Sequence, residues 1–396
     1  MQINRREFMK SLSFLAAASS VYAPSFAVSG TSPTFPELKA GGSYGTLGYE
    51  HGKKFALLIE KNLNFYKRWI PSPLTDKTEE LIRAAESFVS LLMNRFPHQV
   101  EEMEGIAKGA GLALTDIMII NARTDLRSLY TRNKPHEDRP GCTSLAIRSS
   151  NGPASSLALG QNWDWNSFFK DTAVILRLDP DNGPPLVTFT EAGMLGKIGF
   201  NRNKLGVCLN FLSHESEKKA DPVGIPIHCL LRAVMECGSL DEAHQKVALS
   251  QRCASANFLM AQYGDKNHGI MNLEITPDSV AVIRDEKDFF IHTNHYLSPS
   301  LEQGCMDRGS FSTENRYLTG YECLSQMDLN AVNPVEAMKQ VLKLRKGAPY
   351  SVSRSPAPNS QSTTIAGIIM DLGRNTFYLA AGSPHENPWL KYRWVE

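Results

Sequence analysis

The 396-residue sequence lacks the motifs that define several large hydrolase and nucleotide-binding classes. It contains no GxSxG elbow, no HExxH helix and no GxxxxGK[ST] loop, so a serine α/β-hydrolase, a zinc-dependent peptidase and a P-loop nucleotidase each lack their defining residues. No CxxC pair occurs, which removes the usual spacing for a structural zinc or a thioredoxin-like centre, and no residue pattern calls for a metal or an organic cofactor. Neither sign of charge is in excess. The 42 Lys and Arg against 41 Asp and Glu leave a formal net charge of +1, too little to argue for nucleic acid or an anionic membrane surface as partner. Long hydrophobic runs are also scarce: the apolar, small-residue stretch Ser11 to Ala23 falls short of the roughly 20 residues that span a bilayer, so no stable membrane insertion is expected. With 42% hydrophobic residues the chain can bury a substantial core, and a small molecule is the expected partner.

The N-terminus differs from the rest of the chain. Arg5-Arg6, Phe8 and Lys10 precede the apolar stretch, and Ser25-Phe26-Ala27 offers the small-x-small pattern a signal peptidase needs. Residues 1–27 therefore read as a twin-arginine-type signal, and the protein is expected to be exported, periplasmic or extracellular. The seven cysteines are an odd number, so at least one is free or paired outside the chain. Cys208, on an alternating run, reads as a small core residue.

Residues 28–141 read as a helical prosegment ending in a charged linker. Apolar positions recur at helical spacing over Gly52 to Ile70, Thr78 to Phe96 and Thr115 to Leu129, and Gly30 to Gly45 reads as irregular. The stretch Thr131 to Pro140 is polar, charged and proline-bearing. The period then changes from helical to alternating at Cys142, and hairpin-linked strands continue to the C-terminus with helices inserted in blocks. Residues 142–396 thus read as a layered α+β catalytic domain.

Cys142, at that junction, has two readings. A cysteine opening a strand is commonly a buried structural residue. Its chemical reading starts from Gly141: a thiol attacking the preceding carbonyl needs an unhindered residue on the acyl side, and glycine supplies it. Hydrolysis of the resulting thioester makes Cys142 an N-terminus, whose α-amine, with a typical pKa of about 7.7–8.0, is a general base near working pH. One residue then carries both nucleophile and base.

Gly141-Cys142-Thr143-Ser144, Gly160-Gln161-Asn162-Trp163-Asp164-Trp165, Thr190-Glu191-Ala192-Gly193 with Gly196-Lys197-Ile198-Gly199-Phe200-Asn201, and His292-Thr293-Asn294-His295 occur in that order. Together, from about Gly141 to Pro388, they resemble the acyl-coenzyme A:isopenicillin N acyltransferase family. The resemblance implies the N-terminal-nucleophile hydrolase αββα sandwich, with two antiparallel sheets between helical layers. It also implies self-cleavage between Gly141 and Cys142, with the α and β chains staying associated. Cys142 is then the nucleophile, Asp164 orients the α-amine and nucleophile, Asn294 donates to the oxyanion, and Ser144 stands where the family has a threonine used in self-cleavage. Strand alternation puts His292 and Asn294 on one face.

Near the C-terminus Ser360 matches the family's Ser-Arg pair, but Gln361 replaces the arginine, so the site is expected to lack a guanidinium. Hydrolysis of a small-molecule acyl-amide, with water as acceptor, is the expected reaction. Three other readings stay open: transfer of the acyl group to an amine, a papain-like enzyme pairing Cys142 with His292 or His295, and a non-catalytic binding protein.

Overall fold

The computed structural model describes residues 34–70, 78–131, 141–149, 156–264, 268–284, 287–306, 311–356 and 361–393. The signal segment, the 132–140 linker and Ser360 lie outside the described residues. A short strand β1 (Glu37–Gly42) is followed by five helices: α1 (Tyr44–Trp69), α2 (Thr78–Arg95), α3 (Pro97–Ala110), α4 (Leu114–Asn121) and α5 (Arg123–Thr131). Strands β2 (Thr143–Ser149), β3 (Ser156–Asn166), β4 (Ala173–Pro180), β5 (Leu186–Glu191), β6 (Ile198–Asn201) and β7 (Leu205–Phe211) come next. Helices α6 (Ile227–Met235) and α7 (Leu240–Ala248) lead to β8 (Ala256–Gln262), β9 (Gly269–Ile275), β10 (Val280–Ile283) and β11 (Phe289–His292). Helices α8 (Phe311–Ser325) and α9 (Pro334–Leu342) precede β12 (Ser362–Asp371), β13 (Thr376–Ala381) and β14 (Trp389–Arg393).

These strands form an eight-stranded sheet, β1-β4-β5-β6-β7-β8-β9-β10, and a six-stranded sheet, β11-β2-β3-β12-β13-β14. The sheets pack face to face through β2 and β3 against β7 and β8. Helices α6 and α7 cover the eight-stranded sheet, and α8 and α9 the six-stranded one. This is the layered α+β arrangement expected from the hairpin pattern, in the αββα order that the resemblance implies. The inner strands are buried on both faces; β3 is buried from Ser156 to Asp164 and β8 along its whole length. That removes the clean polar-apolar alternation of a one-sided sheet.

Three details correct the sequence reading. The segment before Cys142 is not wholly helical, because β1 pairs in parallel with β4, Glu37 opposite Ile175, so the larger sheet is not purely antiparallel. Helix α3 has no counterpart among the helical runs read from the sequence, and it carries Gly105 and Gly109 in its interior. Both are needed for contact: a Cβ on Gly105 would lie 2.3 Å from the Gly45 carbonyl oxygen, and one on Gly109 2.3 Å from that of Tyr49. The helical run assigned to Thr115–Leu129 is broken at Ala122, between α4 and α5.

The α1–α3 contact is built from glycines on both helices, and α1 carries Phe65 and Trp69 to the site described below. A Cβ on Gly48 would lie 1.9 Å from the Glu102 carbonyl oxygen, with backbone on the other side and no side chain able to yield. Gly48→Ala is expected to destabilise the protein by about 1–3 kcal/mol or more in denaturant unfolding. A change under about 0.5 kcal/mol, typical of surface positions, contradicts this packing.

Candidate active site

Cys142 sits one residue before β2 and is only 9% exposed. Its carbonyl oxygen accepts from Arg316 Nη1 at 2.6 Å and from Asn210 Nδ2 at 3.1 Å. Burial pushes the thiol above its usual range, and the Asp164 carboxylate adds to this. Lys197, the Asp164 backbone N–H and the Gln161 side chain act in the opposite direction. The thiol of the continuous chain is therefore protonated near neutral pH and needs a base to react.

Arg316 is brought in by α8, 1% exposed. Besides the Cys142 carbonyl it donates to Thr143 Oγ1 at 3.1 Å, and its Nη2 donates to Asn294 Oδ1 at 2.9 Å. Asn294 does not lie on a strand with His292, because β11 ends at His292. Instead Asn294 sits in the following turn, where its N–H donates to Thr313 Oγ1 at 2.8 Å and its Nδ2 to the Phe211 carbonyl at 2.9 Å. The expectation of a shared face fails for that reason. Gly141 packs directly against this pair: a Cβ there would lie 2.2 Å from Arg316 Nη2 and 2.4 Å from Asn294 Oδ1.

Asp164, on β3, faces Thr364 across β12, and the register slips between Thr364 and Ala366. Such a bulge re-aims side chains, and here the Thr364 hydroxyl donates to Asp164 Oδ1 at 2.7 Å. Arg354 Nε approaches Asp164 Oδ2 at 3.8 Å. Burial lifts the Asp164 carboxyl to about 6, against the pull of Arg354, Arg316 and the Thr364 hydroxyl. The expectation of a site without a guanidinium is thus overturned: Arg316 and Arg354 both reach it. Gln361 instead accepts from Asn166 Nδ2 at 2.7 Å.

Ser144 is fully buried, and its hydroxyl donates to Asn210 Oδ1, the residue whose Nδ2 holds the Cys142 carbonyl. It acts on the site through Asn210. His292 places Nε2 2.9 Å from Glu274 Oε1 and Nδ1 2.8 Å from the Thr293 carbonyl, so both ring nitrogens are engaged away from Cys142. His295 Nδ1 is engaged by the hydroxyls of Thr293 and Thr313, and burial drives its pKa down to about 4. A papain-like Cys-His pair finds no support in these contacts.

Beside Cys142 and Asp164 opens a cavity of about 190 Å³. Its walls include Trp69, Trp165 and Phe211, with Arg123, Arg127 and Lys197 among them. Glu191 lies behind, accepting from Lys197 Nζ at 2.9 Å, from Arg123 Nη2 at 3.2 Å and from the Tyr66 hydroxyl. The Lys197 ammonium lies 3.5 Å from the centre of the Trp163 ring, and burial lowers its pKa to about 7. The Glu191 and Lys197 blocks singled out in the sequence therefore form one buried ionic cluster against the cavity. Among the described residues no His, Cys, Asp and Glu group is arranged to hold a metal, and no helix is long and apolar enough to cross a membrane.

Cys142, the Asn294 amide and the buried Asp164 carboxylate thus come together in a fold of two stacked sheets with helices on their outer faces. Residues 150–386 match the family model of acyl-coenzyme A:6-aminopenicillanic acid acyl-transferase, more than half of the chain, and the protein belongs to that family. It is 28% identical over 338 residues to the 40 kDa form of acyl-coenzyme A:6-aminopenicillanic-acid-acyltransferase of Emericella nidulans, covering 83% of this chain and 88% of that one. Among solved structures, a Caenorhabditis elegans N-acylethanolamine-hydrolyzing acid amidase ortholog is 15% identical with a TM-score of 0.43, covering 59% of this chain and 93% of that one. A mutant of conjugated bile acid hydrolase from Clostridium perfringens is 12% identical with a TM-score of 0.41, covering 64% and 97% respectively.

The Arg354–Asp164 pairing is open to direct test. Arg354→Met removes a cation that favours the carboxylate, so Asp164 should titrate above the value of about 6 it has with the arginine present. Carboxyl ¹³C NMR in a Cys142→Ala background, with and without Arg354→Met, reads this shift. An unchanged or lower titration point contradicts the pairing.

Proposed function

We propose that the protein cuts itself between Gly141 and Cys142 and then cleaves a small-molecule acyl-amide through a Cys142 thioester. The observation that carries this reading is the seat of the Gly141-Cys142 peptide: Gly141 lies against Asn294 and Arg316, and the Cys142 carbonyl is gripped by Arg316 and Asn210. A structural cysteine needs no such surroundings. The thiol adds to the Gly141 carbonyl, the tetrahedral intermediate expels the Cys142 nitrogen as an amine, and water hydrolyses the thioester to a Gly141 carboxylate. The two chains stay together, since β1 is built into the sheet through β4.

In turnover the new α-amine takes the thiol proton as Sγ attacks the amide carbon. The Asn294 amide and a backbone N–H donate to the oxyanion, and ionised Asp164 orients the α-amine. The proton passes to the leaving amine as the C–N bond breaks. Water then enters, and the acid is released. Ser144 supports self-cleavage by holding Asn210, while Ser360 stays a family-derived candidate outside the described residues. Residues 1–27 direct export, and with water rather than acyl-coenzyme A as the abundant co-reactant, hydrolysis is the favoured outcome. The family's transferases favour a second reading, delivery of the acyl group to an amine.

Turnover of acyl-amide chromogenic substrates tests the assignment. Cys142→Ala should abolish release of the amine, and Asn294→Ala should lower kcat by about 10²–10³, the usual loss for one oxyanion donor. Undiminished turnover in Asn294→Ala contradicts its role. Adding a nucleophilic amine separates the two reactions: free acid as the sole product means hydrolysis, and a new amide means transfer.

A further inference from the structure

We infer that Gly141 is the mould for the α-carbon of the substrate's acyl group, so the enzyme rejects acyl chains that carry a branch at that carbon on the face an L-residue's side chain would take. This rests on the reading of Cys142 as the nucleophile of both self-cleavage and turnover. The two thioesters are the same chemical object, an acyl carbon bonded to Cys142 Sγ. In self-cleavage the carbon next to it is Gly141 Cα. In turnover it is the acyl α-carbon, with the rest of the chain running in the direction of the Gly141 nitrogen.

The space around Gly141 Cα is closed on one side. A substituent at the position of an L-residue's Cβ would lie 2.2 Å from Arg316 Nη2, 3.0 Å from its Cζ and 2.4 Å from Asn294 Oδ1. An arginine head group ordinarily yields to such contact, but this one is fixed. Its Nη2 is bonded to Asn294 Oδ1 at 2.9 Å, its Nη1 to the Cys142 carbonyl at 2.6 Å and to Thr143 Oγ1 at 3.1 Å, and the residue is 1% exposed. Asn294 is held in turn through its Nδ2 on the Phe211 carbonyl and its N–H on Thr313. Moving either group breaks a buried charge-assisted hydrogen bond. Arg316 and Asn294 thereby act as specificity residues: a methylene α-carbon fits, and a methyl on the L-like face does not.

The two enantiomers of p-nitrophenyl 2-methylhexanoate test this, because they are equally reactive toward an achiral thiol. In the (R) ester, with the butyl chain along the Gly141 nitrogen direction, the methyl takes the closed position. In the (S) ester it takes the opposite face. The measurement is the nitrophenol burst together with the mass of the acylated chain, with p-nitrophenyl hexanoate as the unbranched reference and Cys142→Ala as control. We expect the (R) ester to acylate Cys142 at least about 10-fold more slowly than both the (S) ester and the hexanoate, the scale on which a single carbon is rejected by a rigid site. Equal rates for the two enantiomers, or a faster (R) ester, overturn the mould while leaving Cys142 as nucleophile. A burst that persists unchanged in Cys142→Ala overturns the nucleophile assignment, and the mould with it.

Discussion

The guanidinium of Arg316 touches both halves of the site. It holds the Cys142 carbonyl, just before the strand next to the edge of the six-stranded sheet, and the Asn294 side chain, in the turn after that sheet's edge strand. A buried cation is tolerated only with its donors satisfied, and here the partners are a backbone carbonyl, two hydroxyls and an amide oxygen. Planarity matters: one rigid fork sets the spacing between Cys142 and the Asn294 amide, which an ammonium on a flexible stem does not do.

Around that fork the two sheets enclose a set of polar contacts rather than a purely apolar interior. Ser144 and Asn257 both bond Asn210, which in turn bonds the Cys142 carbonyl, and Glu274 bonds His292 and the N–H groups of Leu297 and Ser298. Glu274 thus clamps the Asn294 turn from both ends. Such networks are favourable only when most members are paired, and they fix one arrangement at the cost of tolerance to change. The Glu191, Lys197 and Arg123 cluster plays the corresponding part beside the cavity, bringing positive charge near the Cys142 thiol and so opposing the effect of its burial.

The fold was largely legible because its strands are joined by tight turns and its helices carry regular apolar spacing. Cys142, Asp164 and Asn294 were legible because they stand in recognisable blocks, and the structure brings all three to one site. Arg316 was not: it lies on a helix 174 positions from the carbonyl it binds, among polar residues typical of any solvated face. Arg354 precedes a strand without any motif of its own, and the substitution at Gln361 drew attention to the wrong position. Strand β1 was missed because Gly41 and Gly42 end it and its neighbours are Gly, Pro and Ser, a composition that reads as a loop when parallel pairing to β4 is not in view. The histidines beside Asn294 invited a catalytic reading that their hydrogen bonds do not support.

All the chemistry proposed here requires Cys142 to become an N-terminus. The intact mass and N-terminal sequence of the purified protein, beside those of Cys142→Ala, measure this directly. The account predicts two chains in the wild type, the larger beginning at Cys142, and one uncut chain in the variant. A wild-type protein that stays in one piece across the Gly141-Cys142 bond while still turning over acyl-amides would contradict it.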